Sequence, residues 1–550
     1  MKAILVLLAL VCLSNVGLTA RGQTNQESVK MFEDLKTKAE AGDADAQFNL
    51  GMKYFNMEVG ERNDAESVKW FRKAADQGKV RAEYQLGLCY ELGIGGHLDE
   101  VEAAKWYRKA ADGGDADAQY LLAVSYAGGS GVEKDTNEAF KWYLKAADQG
   151  HAKAQLHAAS CYDEAVGVSK DAHEAVKWYL KSAEQGQDVA QCNLGVHYES
   201  GEGVARDAQE AVKWYRKAAE QGYAAAQFNL AACYDQGVGV ARDLVEAVKW
   251  YRKAAEQSFP QAQFNLGKCY SRGDGVEQNL QEAVSWYRRS ANQGFAVAQR
   301  ELGFCYSQGI GVPLDLAEAV KWLRRAADKG LAAAQNHLAV CYEKGNGVAQ
   351  NFDEAVTLYR KAADQGYPIA ESNLGACYWS GIGVTQDQAK AIEWFRKAAD
   401  HGHLKSQYNM GYYYSNGIGV ALDKSEAFKW FSRAANQGLV PAQLALGICY
   451  EKGEGVSKNL SESVRWYRQA AEGGDAQAQT SLGVCYGNGI RVSANYVESY
   501  KWLLLASAQG NTNAANALPQ IAKAMTAEQV LEAKQLARIF APRASPDSSR

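Results

Sequence analysis

Residues 188–223 read DVAQCNLGVHYESGEGVARDAQEAVKWYRKAAEQGY and contain two stripes of apolar residues with helical spacing. In the first stripe, Ala190, Leu194 and Tyr198 follow one another at intervals of four residues. In the second, over residues 211–219, apolar side chains recur at i, i+3, i+4, i+7 and i+8. Each spacing places one apolar face along a helix. The stretch therefore predicts two amphipathic helices joined by a short loop.

The same unit of 36 residues occurs thirteen times in succession from Ala44 to Asn511. We number the repeats 1 to 13 and call each position within a repeat a station, so that Asp188 is station 1 of repeat 5. Twelve of the thirteen tryptophans occupy station 27, whereas Leu358 takes that station in repeat 9 and Trp379 lies elsewhere. A fixed period of this length predicts an array of stacked repeats rather than several unrelated domains.

The loop between the two stripes has the pattern Gly-x-Gly-Val, as in residues 201–204, and ten repeats carry both glycines. No strand precedes this pattern and no third glycine follows it, so it predicts a tight turn with positive φ rather than a nucleotide site. Asp207 follows the loop, and Glu210 comes three residues later. Both residue types stabilise the start of a helix. We predict an all-α fold, an α/α solenoid superhelix of about 13 helical-hairpin repeats of 36 residues.

The overall charge is close to neutral, with 60 Lys and Arg against 64 Asp and Glu. Binding to nucleic acid requires a surplus of cations to neutralise phosphates. We therefore predict no nucleic-acid partner.

Residues 1–20 (MKAILVLLALVCLSNVGLTA) have one lysine before an apolar run over residues 3–13, followed by small residues. This pattern predicts a secretory signal peptide, and the run is too short to span a bilayer. We expect an exported protein, periplasmic or secreted, with no membrane span.

The residues that flank the repeats predict capping elements. Residues 21–43 match the second half of a repeat and predict an N-terminal capping helix. Residues 512–540 predict two C-terminal capping helices, and Thr526 with Gln529 predicts a capping box for the second of them. Residues 541–550 are rich in proline and serine and predict a disordered tail.

The thirteenfold pattern A-x-A-Q-x-x-L-G-x-x-Y-x-x-G-x-G-V-x-x-D, followed by E-A-x-x-W-Y-x-K-A-A-x-Q-G, resembles the Sel-1-like repeat (SLR) over residues 44–511. This repeat is related to the tetratricopeptide repeat (TPR). The resemblance implies an adaptor that assembles other proteins, in bacterial envelopes or in eukaryotic secretory compartments. Cysteine-rich bacterial relatives have been proposed to bind penicillin and to have β-lactamase activity.

The chain lacks the short motifs of several enzyme classes. The sequence contains no H-E-x-x-H, G-x-S-x-G, P-loop or S-x-x-K motif, and no C-x-x-C. We therefore expect no enzyme activity, no cofactor and no metal site. Among the eight histidines, His401 and His403 form the only close pair, which we interpret as lying on the surface at the end of a helix.

Nine of the eleven cysteines share station 10, which predicts small buried thiols. The resemblance implies no disulfides here, because the cysteine-rich relatives carry two cysteines per repeat and this chain carries one. Cys192 lies at a different station and is expected to be the most accessible.

The variable stations of the first helix indicate where a partner binds. In TPR relatives this helix lines the concave face, and an Asn there holds a bound peptide. The matching station 6 carries Asn193, Asn229, Asn265, Asn373 and Asn409. A structural Asn that bonds a neighbouring loop is the alternative interpretation.

Aromatic residues add to this predicted site. Trp379 occupies a station that is elsewhere mostly Glu, Asp or Ser, which suggests that its ring is exposed. Tyr408 and Tyr412 flank Asn409 in the next repeat. We expect a non-enzymatic scaffold that binds a protein or peptide in the superhelix groove through these residues. The alternatives are a module that binds cell-wall glycan or peptidoglycan, or a β-lactamase or peptidoglycan hydrolase.

Overall fold

The computed structural model describes residues 25–56, 62–96 and 98–543, which form 29 helices joined by loops. The predicted signal peptide at 1–20 lies outside the described residues, as does most of the predicted tail at 541–550. The first helix, α1, spans Asn25–Glu40, within the residues for which a capping helix is predicted. No helix in the described ranges is both long enough and apolar enough to cross a membrane.

Each repeat forms two helices. The first helices are α2 (Ala44–Phe55), α4 (Val80–Leu92), α6 (Ala116–Gly128), α8 (Ala152–Glu164), α10 (Asp188–Ser200), α12 (Ala224–Gln236), α14 (Pro260–Arg272), α16 (Ala296–Gln308), α18 (Ala332–Lys344), α20 (Pro368–Ser380), α22 (Leu404–Asn416), α24 (Val440–Lys452) and α26 (Ala476–Asn488). The second helices are α3 (Asp64–Ala75), α5 (Glu100–Asp112), α7 (Thr136–Asp148), α9 (Ala172–Glu184), α11 (Ala208–Glu220), α13 (Leu244–Glu256), α15 (Leu280–Asn292), α17 (Leu316–Asp328), α19 (Phe352–Ala363), α21 (Gln388–Asp400), α23 (Lys424–Asn436), α25 (Leu460–Glu472) and α27 (Tyr496–Ala508). The all-α prediction and its division into helical hairpins are confirmed.

Two further helices, α28 (Thr512–Ala522) and α29 (Ala527–Arg538), follow the last repeat. The side chain of Thr526 accepts a hydrogen bond from the backbone of Gln529, whose side chain bonds back to the Thr526 backbone. This pair is the predicted capping box. The chain divides into two compact units, Met1–Ala262 and Gln263–Arg550.

The start of the second helix is fixed by the side chain at station 20. In repeat 5, Oδ1 of Asp207 accepts hydrogen bonds from the backbone N–H groups of Gln209 and Glu210, both at 3.0 Å. These are amides that a helix cannot satisfy with its own carbonyls. The N-cap prediction is confirmed.

Close contact between the two helices of a repeat depends on the small residue at station 8. A Cβ placed on Gly195 would lie 2.6 Å from the ring of Tyr215, closer than side chains tolerate. Gly203 has φ +72°, and a Cβ there would lie 2.2 Å from the carbonyl oxygen of Ala172 in the preceding repeat. These glycines let the hairpin and the loop pack tightly, as the turn interpretation predicts.

Trp214 is 6% exposed and belongs to the same buried cluster as Leu194 and Tyr179. The ammonium group of Lys217 lies 3.7 Å from the centre of its ring system. A cation over an indole face at this distance is stabilising. The station 27 tryptophan is therefore a core residue.

None of the ten described cysteines forms a disulfide, and nine of them are buried. Cys12 lies outside the described residues. The expectation that Cys192 is the most accessible is wrong, because this side chain is 4% exposed. Station 5, which it occupies, faces the neighbouring repeat, and the side-chain amide of Asn229 lies 3.7 Å from its sulfur. Cys341 is the one described cysteine that is half-buried.

We predict that the native protein reacts slowly with a thiol reagent such as Ellman's reagent at about pH 8. Burial raises the pKa of Cys89 to about 12 and that of Cys305 to about 11, which leaves little reactive thiolate. Denatured protein should react fully, and Cys341→Ser should remove the fastest native phase. Disulfides found in protein purified without reductant would contradict the packing described here.

Candidate functional site

The aromatic ring at station 28 is covered by a second ring at station 5 of the same repeat. In repeat 6, the ring centres of Phe228 and Tyr251 are 5.8 Å apart. In repeat 7, the ring centres of Phe264 and Tyr287 are 5.6 Å apart. Ring pairs at this separation are attractive. Station 5 is therefore a structural position on the first helix wherever it is aromatic.

Repeats 8 to 10 lose this ring, because Arg300, Asn336 and Ser372 occupy station 5. A cleft of about 970 Å³ coincides with the loss. It is lined by Arg300, Glu301, Phe304, His337, Tyr367, Pro368, Ile369, His401, Gly402, His403, Leu404, Lys405 and Gln437. These residues come from the first helices of repeats 8 and 9, from the starts of α20 and α22, from the turn that joins α21 to α22, and from the end of α23. All of them lie in the second compact unit.

A ladder of glutamines runs beneath this face of the repeats. In repeat 9, the side-chain amide of Gln335 donates to the carbonyl of Ala327 in the preceding repeat, at 3.3 Å. The amide of Gln365 donates in turn to Oε1 of Gln335, at 2.8 Å. The same two bonds recur in repeats 1, 3, 4, 5, 6, 11 and 13, where repeat 1 bonds to the helix before it. Buried polar groups require such partners.

Repeat 10 replaces this glutamine pair with a carboxylate and an imidazole. Glu371 is 1% exposed, and Nδ1 of His401 lies 2.9 Å from both of its oxygens. A carboxylate can only accept hydrogen bonds, so Nδ1 carries the proton. The His401 side chain is half-exposed and lines the cleft. The structure therefore places a buried carboxylate directly behind an imidazole of the cleft wall.

Several other polar groups of the cleft are held by neighbours. The guanidinium of Arg300 pairs with Glu301 at 2.9 Å, and Nδ1 of His403 lies 2.8 Å from the hydroxyl of Ser406. Burial lowers the pKa of His337, and the charge of Arg300 lowers it further. His337 is therefore a neutral imidazole at pH 7. In the described ranges, no group of three or more His, Cys, Asp or Glu side chains is placed to hold a metal ion.

Three of the five predicted asparagines contact the neighbouring repeat. Nδ2 of Asn373 donates to Oδ1 of Asn336 at 2.9 Å, and Asn193 is hydrogen-bonded to the hydroxyl of Tyr179. Asn229 contacts the sulfur of Cys192, as described above. These bonds favour the structural interpretation for the three residues. Asn265 and Asn409 are half-buried. Binding of a partner by any of the five stays a prediction.

Trp379 is half-buried rather than exposed. Its ring stacks on that of Tyr413, with centres 5.4 Å apart and an angle of 15° between the planes. Tyr413 stands at station 10, where most repeats have cysteine. The large ring of Tyr413 thus covers the indole.

A second departure explains why tryptophan is tolerated at station 12. In other repeats the carboxylate of this station accepts a hydrogen bond from the station 28 tyrosine, as Glu199 does from Tyr215 at 2.7 Å. Repeat 10 has Phe395 at station 28, which has no hydroxyl. The five repeats without tyrosine at station 28 all lack a carboxylate at station 12. Phe395 has no hydroxyl to donate to a carboxylate at station 12. Repeat 10 therefore has no need for an acidic residue there, and Trp379 is tolerated.

The remaining predicted residues, Tyr408 and Tyr412, differ in exposure. Tyr408 is half-buried at station 5, and its ring centre lies 5.7 Å from that of Phe431. Tyr412 is 48% exposed, and its ring meets that of Tyr413 edge-on. The structure thus brings Trp379 and Tyr412 together around Tyr413. It places Tyr408 in a structural pair.

Sequence reasoning missed the cleft, although two signals were available. Three consecutive repeats lack a large apolar residue at station 5, and one repeat changes its Gln–Gln pair to Glu371 and His401 together. His401 is exposed at the end of α21, as predicted, whereas His403, which precedes α22, is half-buried. The close pairing of His401 with Glu371, 30 residues away, depends on how the hairpin folds.

Comparison with known proteins identifies the same family in every repeat. The model of the Sel1 repeat matches residues 44–79, 80–115, 116–151, 152–187, 188–223, 224–259, 260–295, 296–331, 332–367, 368–403, 404–439, 440–475 and 476–511. No curated protein matches the chain.

Solved structures similar to it include two bacterial repeat proteins. One is c5321, described as a protective antigen present in uropathogenic Escherichia coli strains and displaying an SLR fold. It is 35% identical, with a TM-score of 0.56, over 81% of this chain and 96% of that protein. The other is a Sel1 repeat protein from Oxalobacter formigenes, 33% identical with a TM-score of 0.46, over 60% of this chain and 98% of that protein.

We predict that Trp379→Ala lowers the free energy of unfolding by about 1 kcal/mol, the magnitude expected for one lost aromatic pair. Trp214→Ala should cost roughly 3–5 kcal/mol, because it leaves a cavity in a close-packed core. Chemical denaturation followed by circular dichroism measures both. Equal losses for the two variants would mean that Trp379 is a core residue.

Glu83 takes the place of the ladder glutamine in repeat 2 and allows a test of the ladder. Station 34 of that repeat is Gly113, which has no side-chain amide to donate to the carboxylate. Burial raises the pKa of this carboxyl above its ordinary 4.5, although the charge of Lys109 partly opposes the shift. Ionisation therefore destabilises the folded state as the pH rises above about 4.5. We expect Glu83→Gln to raise the melting temperature at pH 7, with the gain vanishing at low pH.

The matched control for this prediction is Glu371→Gln. It should gain less, because His401 already donates to that carboxylate. Equal gains at the two positions would show that the histidine partner has no effect.

Proposed function

We propose, from the premise that the chain belongs to the Sel1 repeat family, that it is a non-enzymatic scaffold that binds an extended segment of a partner protein. The proposed binding surface is the face of the first helices in the second compact unit. The cleft at residues 300–437 would be its centre. Repeat proteins of this kind offer long surfaces on which one partner touches several repeats.

The observation that carries this proposal is the combination of the cleft with exposed apolar side chains on the same helices. Station 9 of the first helices holds Phe304, Tyr412 and Val484, which are 41%, 48% and 39% exposed. Phe304 also lines the cleft. Large exposed apolar side chains beside a concave site are typical of surfaces that bind other proteins.

The chemistry of the cleft favours binding over catalysis. None of its thirteen described lining residues is a serine, threonine or cysteine that could act as a nucleophile. The Glu301 carboxylate is paired with Arg300. The Glu371 carboxylate is buried behind the cleft wall and accepts a hydrogen bond from His401. Function must be argued from such groups, and the described lining places no serine, threonine or cysteine beside the His401 imidazole.

We further propose that the protein acts outside the cytoplasm, in the cell envelope or the secretory space. The support is the composition of residues 1–20, which fits a signal peptide. A fusion of these residues to alkaline phosphatase, which is active only after export, tests the assignment.

The binding surface is tested by capture from envelope extract on the immobilised chain. We expect a partner that is retained by wild type and lost by the double variant Phe304→Ser, Tyr412→Ser, because both side chains are exposed and their removal should leave the fold intact. Lys321→Ser on the second helix of repeat 8, where the lysine pairs with Glu318, is the control and should retain the partner.

Two results would contradict this assignment. Capture that is unchanged in the double variant would place the partner on another face. Turnover of a β-lactam or of peptidoglycan by the pure protein would make it an enzyme, and retention of peptidoglycan alone would make it a glycan-binding module.

A further inference from the structure

We propose that the cleft at residues 300–437 is specific for a peptide segment in which an acidic side chain adjoins a bulky apolar one. This inference rests on the function proposed above and specifies the partner's chemistry at that surface. It follows from the charges, the helix ends and the apolar side chains that meet in the cleft.

The cleft wall has more cations and hydrogen-bond donors than anions. Arg300 and Lys405 each carry a positive charge. The imidazoles of three histidines also line the cleft, namely His337, His401 and His403. The single carboxylate on the wall is Glu301, and Arg300 already bonds it at 2.9 Å. A guanidinium has five N–H groups, so Arg300 keeps donors for a second carboxylate.

His401 is also placed to bind a carboxylate of the ligand. Its Nδ1–H is bonded to the buried Glu371, which fixes the ring and leaves Nε2 for the cleft. In its doubly protonated form the ring donates from Nε2 to a ligand carboxylate while Nδ1–H stays on Glu371. The buried Glu371 itself is not on the wall and does not repel a ligand directly.

The starts of two helices add to the positive potential. Residues 367–369 at the start of α20 and residues 403–405 at the start of α22 line the cleft. Neither helix has a side-chain hydrogen bond that caps its first turn. The N-terminal end of a helix carries a partial positive charge and attracts anions. This contribution supports the charged side chains and would not define a site without them.

The apolar half of the wall sets the second requirement. Phe304 is 41% exposed, and Ile369 and Leu404 line the cleft with it. A ligand with a carboxylate but no apolar group would leave these side chains in contact with water. A segment that pairs its acidic residue with a bulky apolar one would cover both halves, as the hot spots of protein interfaces do.

The charge of the cleft is specific to these repeats and is not a property of the repeat in general. Five repeats earlier, the thirteen equivalent stations hold Tyr120, Leu121, Val124, His157, Gln187, Asp188, Val189, Gln221, Gly222, Tyr223, Ala224, Ala225 and Gln257. That set has no lysine or arginine and includes one aspartate. These thirteen stations are thus cationic at residues 300–437 and neutral to acidic at residues 120–257.

The test selects peptides of about 12 residues from a random displayed library on the immobilised full chain. We expect an enriched pool in which Asp or Glu stands next to Leu, Ile, Phe or Trp. The double variant Arg300→Gln, Lys405→Gln should lose this enrichment. Lys321→Gln removes one charge from an exposed ion pair outside the cleft and should keep it.

A synthetic peptide of the enriched sequence then gives the affinity by fluorescence anisotropy. Its Kd should rise at least about tenfold in the double variant, and about tenfold when its acidic residues are replaced by Asn or Gln. Raising NaCl from about 50 to about 500 mM should weaken binding, because salt screens the charges.

The outcomes separate the two proposals. An enriched pool without acidic residues, or enrichment that survives in the double variant, overturns the inference about chemistry. Loss of a captured partner in the Phe304→Ser, Tyr412→Ser variant, together with no enriched peptide, overturns this inference and leaves the scaffold assignment standing. Unchanged capture in that variant, with no enriched peptide, overturns both.

Discussion

The contact on which this structure depends is that of the station 28 side chain, a ring in eleven of the thirteen repeats and leucine in the other two, with the backbone of the first helix. In repeat 5, the ring of Tyr215 lies so close to Gly195 that a single added carbon would clash with it. Only glycine or alanine occupies station 8 in the thirteen repeats. This approach fixes the distance between the two helices of a hairpin. Interiors packed at this density have little room for adjustment.

The other side chains of the first helix are arranged around that ring. In repeat 5 its hydroxyl donates to the carboxylate of station 12, and in repeat 6 its face is covered by the ring of station 5. Substitutions at these stations are therefore linked. Phe395, which lacks the hydroxyl, occurs in the same repeat as Trp379. The cleft lies where three consecutive repeats have a polar residue instead of a ring at station 5. The variation that gives this protein a distinct surface is limited by the contact that holds every hairpin together.

Bonds between successive repeats impose a second constraint. The station 4 glutamine reaches a carbonyl of the preceding repeat and accepts a bond from station 34 of its own. In repeat 10 the Glu371 carboxylate cannot donate to such a carbonyl, but it still accepts a bond from station 34, where His401 stands, and this pair brings an imidazole to the wall of the cleft. A solenoid can change its surface in this way because each repeat mainly contacts its neighbours. A local substitution then needs only local compensation.

The sequence by itself determined the helices, their boundaries, the buried tryptophans and the turn glycines. Each of these follows from period, capping chemistry and residue size within about 36 residues, and thirteen copies made the pattern unambiguous. The tertiary structure decided which of the exceptional residues meet. Trp379 stacks on Tyr413 from the next repeat, and His401 covers Glu371 from 30 residues earlier. Exposure was misjudged for Cys192 and Trp379, because burial at a variable station depends on the neighbouring repeat. The cleft has the same origin, since side chains that are distant along the chain leave an empty volume only once the repeats are stacked.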